Sequence, residues 1–102
     1  MHTLIKTKSP AVSTPIPCIH STHMAVQMAV EGVLEGQKVI AEAILEGSLD
    51  GKGWFTISEL KADGNDYATD GGVFETLWSF IRARVKSVSN DSTVIVYLAK
   101  RG

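Results

Sequence analysis

The chain has a single cysteine, Cys18, among 102 residues. One cysteine closes no internal disulfide, so nothing asks for an oxidising compartment, and a cysteine-rich zinc site is excluded. No apolar run approaches the roughly 20 residues that a membrane-spanning helix needs. A signal-peptide h-region is missing too, because Leu4-Ile5 is followed at once by Lys6. The amino terminus is rich in Ser and Thr and free of acids, as transit peptides are, but it also lacks arginine. A cytoplasmic location is the expectation. The phosphate-cradling, dinucleotide-binding and nucleophile-elbow glycine motifs are all absent, so no enzyme is expected. The only prolines, Pro10, Pro15 and Pro17, sit close together and break any helix there. Residues 1–20 therefore read as a flexible arm, and residues 21–102 as one small domain. Met24 could even open the folded domain, with the residues before it a leader.

What is present is unevenly distributed. The net charge is −1, but residues 31–75 carry ten acids against Lys38, Lys52 and Lys61. Residues 76–102 carry Arg82, Arg84, Lys86, Lys100 and Arg101 against Asp91 alone. Such asymmetry suggests a basic contact surface.

The pattern from Ser21 to about Glu46 reads as a long helix. Val26, Val30, Val33, Ile40 and Ile44 recur at spacings of 3, 4 or 7, and Ser21 or Thr22 can cap the start. Gly32 and Gly36 are each unfavourable inside a helix, by roughly 1 kcal/mol against alanine. A turn at Asp50–Gly53 leads to a short strand, Trp54 to Ile57, and Ser58 caps a short helix to about Ala62. A loop follows, then a second long helix from Gly72 to Arg84 with Phe74, Leu77, Trp78 and Ile81 on its buried stripe. Residues 85–89, a turn at Asn90–Ser92 and residues 93–100 read as a hairpin.

Other chemistry is thin. "SLDGKGWFTISE" has the glycine and final glutamate of a calcium loop, but Lys52 stands where an oxygen ligand is required. Asp63, Asn65, Asp66 and Asp70 are hard donors close in sequence and read as loop solvation and turns. His20, His23 and Cys18 lie in or beside the arm, which offers no preorganised metal site. No metal or other cofactor is expected. Trp54, Phe55, Phe74, Trp78 and Phe80 are the main aromatics, and core is their default role.

The element order, together with "WFTISELKA", resembles the winged helix-turn-helix class of DNA-binding domains over residues 22–101. The fold expected from that resemblance is α+β: long helix, short strand, short helix, long helix, C-terminal hairpin. The resemblance makes helix 72–84 the recognition helix and Asn90–Ser92 the wing tip. It implies double-stranded DNA as partner and transcription regulation as function, with Thr76, Ser79, Arg82, Arg84, Lys86, Lys100 and Arg101 as contacts. A homodimer, with part of the first helix at the interface, is expected. The alternative is a non-enzymatic adaptor or inhibitor that binds a protein partner. The two charge blocks discriminate: if they pack together, the cations are neutralised; if they segregate, a DNA face survives.

Overall fold

A computed structural model describes residues 2–18, 23–75 and 77–101. Among these residues there is no helix. The strands are β1 (His2–Thr7), β2 (Ala11–Val12), β3 (Ile16–Pro17), β4 (His23–Gly32), β5 (Lys38–Ser48), β6 (Phe55–Asn65), β7 (Tyr67–Glu75), β8 (Phe80–Val88) and β9 (Ser92–Arg101). They form two antiparallel sheets. One has the order β1-β9-β4-β7; in the other β2 and β3 both pair with β8, followed by β5 and β6. The chain changes sheet between β1 and β2, β3 and β4, β4 and β5, β6 and β7, β7 and β8, and β8 and β9. This is the jelly-roll arrangement.

The expected α+β winged helix is therefore overturned, and the reason lies in the period of the apolar residues. Met24, Val26, Met28 and Val30 are buried at every second position of β4. Val39, Ala41, Ala43 and Leu45 do the same in β5. Alternation of this kind is the signature of a strand with one buried face. Valines four residues apart satisfy both periods, so Val26 and Val30 did not discriminate. Gly32 and Gly36 did: the chain turns there, with Gly36 at φ 73°. The proposed short helix, 58–62, is the middle of β6, with Leu60 and Ala62 inward. The proposed recognition helix, 72–84, comprises the end of β7, a link and the start of β8, where Ile81, Ala83 and Val85 are buried alternately. The turn near residues 89–91 is real, but β8 and β9 belong to different sheets, so no hairpin forms. The helix caps proposed at Ser21 and Thr22 lie outside the described residues.

The segment read as a flexible arm carries three strands. β1 pairs with β9, and β2 and β3 pair with β8. Ser13 ties the segment down further, because its N–H donates to Ala83 O at 2.8 Å and its Oγ accepts from Ala83 N–H at 2.9 Å.

The core is one cluster between the sheets. Alanines at 41, 43, 62 and 83 thin the inner face of the second sheet, while the first contributes the larger Met24, Met28, Val96 and Leu98. Small against large is how two facing sheets interdigitate at crystal-like density.

One end of the sandwich is tied by Gln37. Its Oε1 accepts from the N–H groups of Val33 and Leu34, and its Nε2 donates to Asn90 O, Asp91 O and Ser92 Oγ. Its backbone exchanges bonds with Asp66, which turns the chain from β6 to β7 at φ 65°.

Candidate functional site

The two outer faces of the sandwich differ in how their polar groups are used. On the second sheet a central group of charges satisfies itself. Arg82 Nε and Arg84 Nε donate to Glu46 Oε1 at 2.9 and 3.2 Å. The Arg82 guanidinium also lies 4.1 Å from the centroid of a Trp54 ring, a cation–π contact. Farther along, Lys38 pairs with Asp63 at 2.6 Å.

This arrangement answers the charge-block test. Glu46 of the acid block is buried beneath Arg82 and Arg84 of the basic block. Two of the cations expected at phosphates are thus neutralised inside the protein. The remaining expected contacts do not assemble either. Ser79 is in the β7–β8 link, where its N–H donates to Ser48 O and its carbonyl accepts from Cys18 N–H. Lys86 is exposed on β8, and Lys100 Nζ donates to Pro17 O at 3.2 Å. Arg101 ends β9, and Thr76 lies outside the described residues. With no recognition helix or wing hairpin among the described residues, DNA binding and transcription regulation fall with the fold that carried them. The adaptor reading gains no specific support from the structure.

The outer face of the first sheet is built differently. Strand alternation turns Gln27, Ala29 and Glu31 of β4 outward, with Thr93, Ile95 and Tyr97 of β9 on one side and Tyr67 and Thr69 of β7 on the other. The register sets them in rows. Glu31 stands between Tyr67 and Thr93; Ala29 between Thr69 and Ile95, with Lys6 of β1 beyond; Gln27 between Gly71 and Tyr97. Ala29, a small residue at the centre, leaves a depression. Lys6, Gln27, Ala29, Glu31, Tyr67, Thr93, Ile95 and Tyr97 line a cavity of about 340 Å³.

Its polar groups are oriented but not used up. Gln27 Nε2 donates to Thr69 Oγ1 at 3.0 Å, and Thr69 Oγ1 donates in turn to Met28 O at 2.8 Å. That chain fixes the Gln27 amide. Among the described residues, the Tyr67 and Tyr97 hydroxyls, the Lys6 ammonium and the Glu31 carboxylate make no hydrogen bond or ion pair. A polar-rimmed hollow with aromatic walls can take a ligand that is itself flat-faced and rich in hydroxyls.

The sequence reading missed this site. Its aromatics of interest were the two tryptophans and three phenylalanines, and Tyr67 sat in a segment read as a loop. One signal was available. "TVIVYLAK", read with period two, puts Thr93, Ile95 and Tyr97 on one face. No sequence rule, however, joins Tyr97 to Tyr67.

A second hollow, about 710 Å³, lies at the end of the same sheet and is lined by His23, Met24, Ala25, Val73, Phe74, Glu75, Ala99 and Lys100. His23 Nε2 lies 3.1 Å from Glu75 Oε1 at its rim. Among the described residues no group of three His, Cys, Asp or Glu side chains is placed to hold a metal ion. No helix among them is long and apolar enough to cross a membrane.

Three solved structures share the fold. A SPBc2 prophage-derived protein, YomS, is 14% identical, with a TM-score of 0.61 over 98% of this chain and 90% of its own. A Family 16 carbohydrate binding module is 10% identical, with a TM-score of 0.52 over 92% of this chain and 74% of its own. A CBM4 structure is 5% identical, with a TM-score of 0.53 over 86% of this chain and 59% of its own. No protein-family profile matches the chain, and no curated protein sequence matches it significantly. At these identities the likeness establishes the jelly-roll fold alone.

Proposed function

We propose that this protein is a non-catalytic binding module whose ligand is a glycan chain, held in the hollow on the outer face of the β1-β9-β4-β7 sheet. The observation that carries the reading is the contrast between the two faces. One pairs Glu46 with Arg82 and Arg84 and Lys38 with Asp63, and the other keeps two tyrosines, an amide, a carboxylate and an ammonium around a cavity with a small-residue floor. The fold shared with a Family 16 carbohydrate binding module adds support.

The chemistry of such a ligand fits residue by residue. A pyranose ring has a C–H face that packs on the π-surface of a tyrosine, and an equatorial belt of hydroxyls that donate and accept. Tyr67 and Tyr97 supply the aromatic surfaces. Glu31 accepts, Lys6 donates, and the Gln27 amide, steadied by Thr69, completes the set. The lining contains both charge signs, so a neutral polysaccharide is the first choice. The cytoplasmic location expected from the sequence stays part of this proposal: Cys18 is buried and unpaired, so folding requires no oxidising compartment.

The test is electrophoretic retardation and calorimetry against a panel of soluble neutral and acidic polysaccharides. We expect binding to at least one neutral polymer, weakened about tenfold or more by Tyr97→Ala and by Tyr67→Ala. Lys86→Ala, exposed on the opposite face, should leave affinity unchanged. Absence of binding across the panel, or binding indifferent to both tyrosines, overturns the proposal.

A further inference from the structure

A β-sandwich must manage the exposed edges of its two sheets, because each unpaired edge is a template for another strand. Three of the four edges here are guarded. β1 carries Lys6 and runs into Lys8 and Pro10. The opposite edge of the second sheet is made of two-residue strands separated by Pro15, with Pro17 in β3. β6 presents Glu59, Lys61 and Asp63, and its Lys61 N–H is already taken by Asp70 Oδ2 at 2.9 Å.

The end of β7, Gly71–Glu75, is guarded less: Asp70 takes the N–H of Gly71, and Glu75 is its one charged side chain. It contains no proline, lysine or arginine, and Val73 is 84% exposed. The phase of the ladder can be read at its start. Gly32 N–H donates to Asp66 O at 2.9 Å, so even-numbered residues of this pair bond to each other across the β4–β7 ladder. The odd-numbered residues of β7 point away from β4. Gly71 agrees: its N–H turns outward to Asp70 Oδ1 at 2.9 Å. The N–H and C=O groups of Val73 and Glu75 therefore face the open edge.

We infer that this edge pairs with a second copy of the same chain, antiparallel and two-fold symmetric about Val73, joining the two first sheets into one. The segment is self-complementary in that register. Val73 meets its own counterpart as a hydrogen-bonded pair, and Glu75 N–H donates to the carbonyl of Gly71 in the other copy. Glu75 faces Gly71 and Phe74 faces Gly72, so no like charges oppose one another and each large side chain meets a glycine. The homodimer expected from the sequence thus has a strand edge, and not a helix, as its interface. The inference stands independently of the glycan proposal.

Analytical ultracentrifugation in the tens of micromolar, with two variants of the full chain, tests it. The wild type should sediment as a dimer. Val73→Pro removes only an outward N–H and should weaken self-association at least about tenfold. Val73→Lys should do the same by setting two ammonium groups face to face, and it decides the matter if the proline variant fails to fold. A monomeric wild type overturns the inference, and so does a dimer that survives Val73→Lys.

Discussion

Arg82 Nε donates to Glu46 Oε1 at 2.9 Å across the β5–β8 pair, with the arginine side chain 17% exposed and the glutamate side chain 9% exposed. A carboxylate this deep in a sheet face is tolerable only because two guanidinium groups meet it, the second from Arg84. Removing one partner of a buried pair leaves the other charge uncompensated.

Glu46→Ala should accordingly lower unfolding stability by about 3 kcal/mol. Arg82→Ala should be more damaging than Arg84→Ala, because the Arg84 side chain is 43% exposed and water can compensate it. Urea denaturation of the three variants measures the order. Equal, small losses for all three would mean that the cluster contributes little.

Gly47 lies beneath the indole of Trp78. A Cβ built there would come 2.5 Å from Trp78 Cγ and 2.8 Å from the Ile57 Cδ1 atom. Gly72 has nothing within 4 Å of the equivalent position. Gly47→Ala should therefore cost about 1–3 kcal/mol through overpacking and change the tryptophan emission. Gly72→Ala should be neutral, or stabilising by about 0.5 kcal/mol, because it lowers the entropy of the unfolded chain. Thermal unfolding followed by fluorescence separates the two.

Gln37→Ala removes the side chain that joins the loop after β4 to the turn before β9. Several of these bonds are exposed, so we expect a loss of about 1–2 kcal/mol rather than the full sum of the bonds. The diagnostic readout is amide exchange. Val33 and Leu34 should lose protection while the centre of β5 keeps it.

Asp50 Oδ1 accepts from the N–H groups of Gly53 and Lys52 and from Ser48 Oγ. These bonds, that to Gly53 foremost, hold its carboxyl below the usual aspartate value. The contribution to stability is therefore present above the unfolded-state pKa and is lost as pH falls through the lower folded-state pKa. Asp50→Asn should remove that part of the acid dependence. An NMR titration of the Asp50 carboxyl with a midpoint at or above the usual value would refute the assignment.

Burial pushes the Cys18 thiol up, against the opposing influence of Lys100. The Sγ–H also donates to Trp78 O at 3.1 Å. The native protein should react slowly with a thiol reagent near neutral pH and fast once unfolded. Rapid native labelling would show that the β3 segment opens readily.

Much of the local pattern was legible in the sequence. The turn residues at Asp50–Gly53 and around Asn90 do interrupt strands, and Val26, Val30 and Ile81 do belong to the core, whereas Val33, Ile40 and Leu77, read on the same stripes, are exposed. The fold class was not read correctly, for a physical reason. β4 and β5 are built largely from Ala, Met, Glu, Gln and Leu, residues with good helix propensity. Such preferences amount to less than 1 kcal/mol per residue and yield to burial of a strict period-two face. The glycines at 32 and 36 were the local warning.

The binding face was less legible still. Tyr67 and Tyr97 lie on β7 and β9, which flank β4 without touching each other along the chain, and only sheet pairing brings their rows together. Likewise, Glu46, Arg82 and Arg84 were visible as opposite charge blocks, but not as one buried cluster. By itself the sequence determined the turns, part of the core and the lack of any disulfide framework, because these follow from local geometry and residue chemistry. Only the tertiary structure decided which apolar period prevailed, which charges were consumed and which outer face stayed open, because each depends on residues distant in the chain meeting across a sheet.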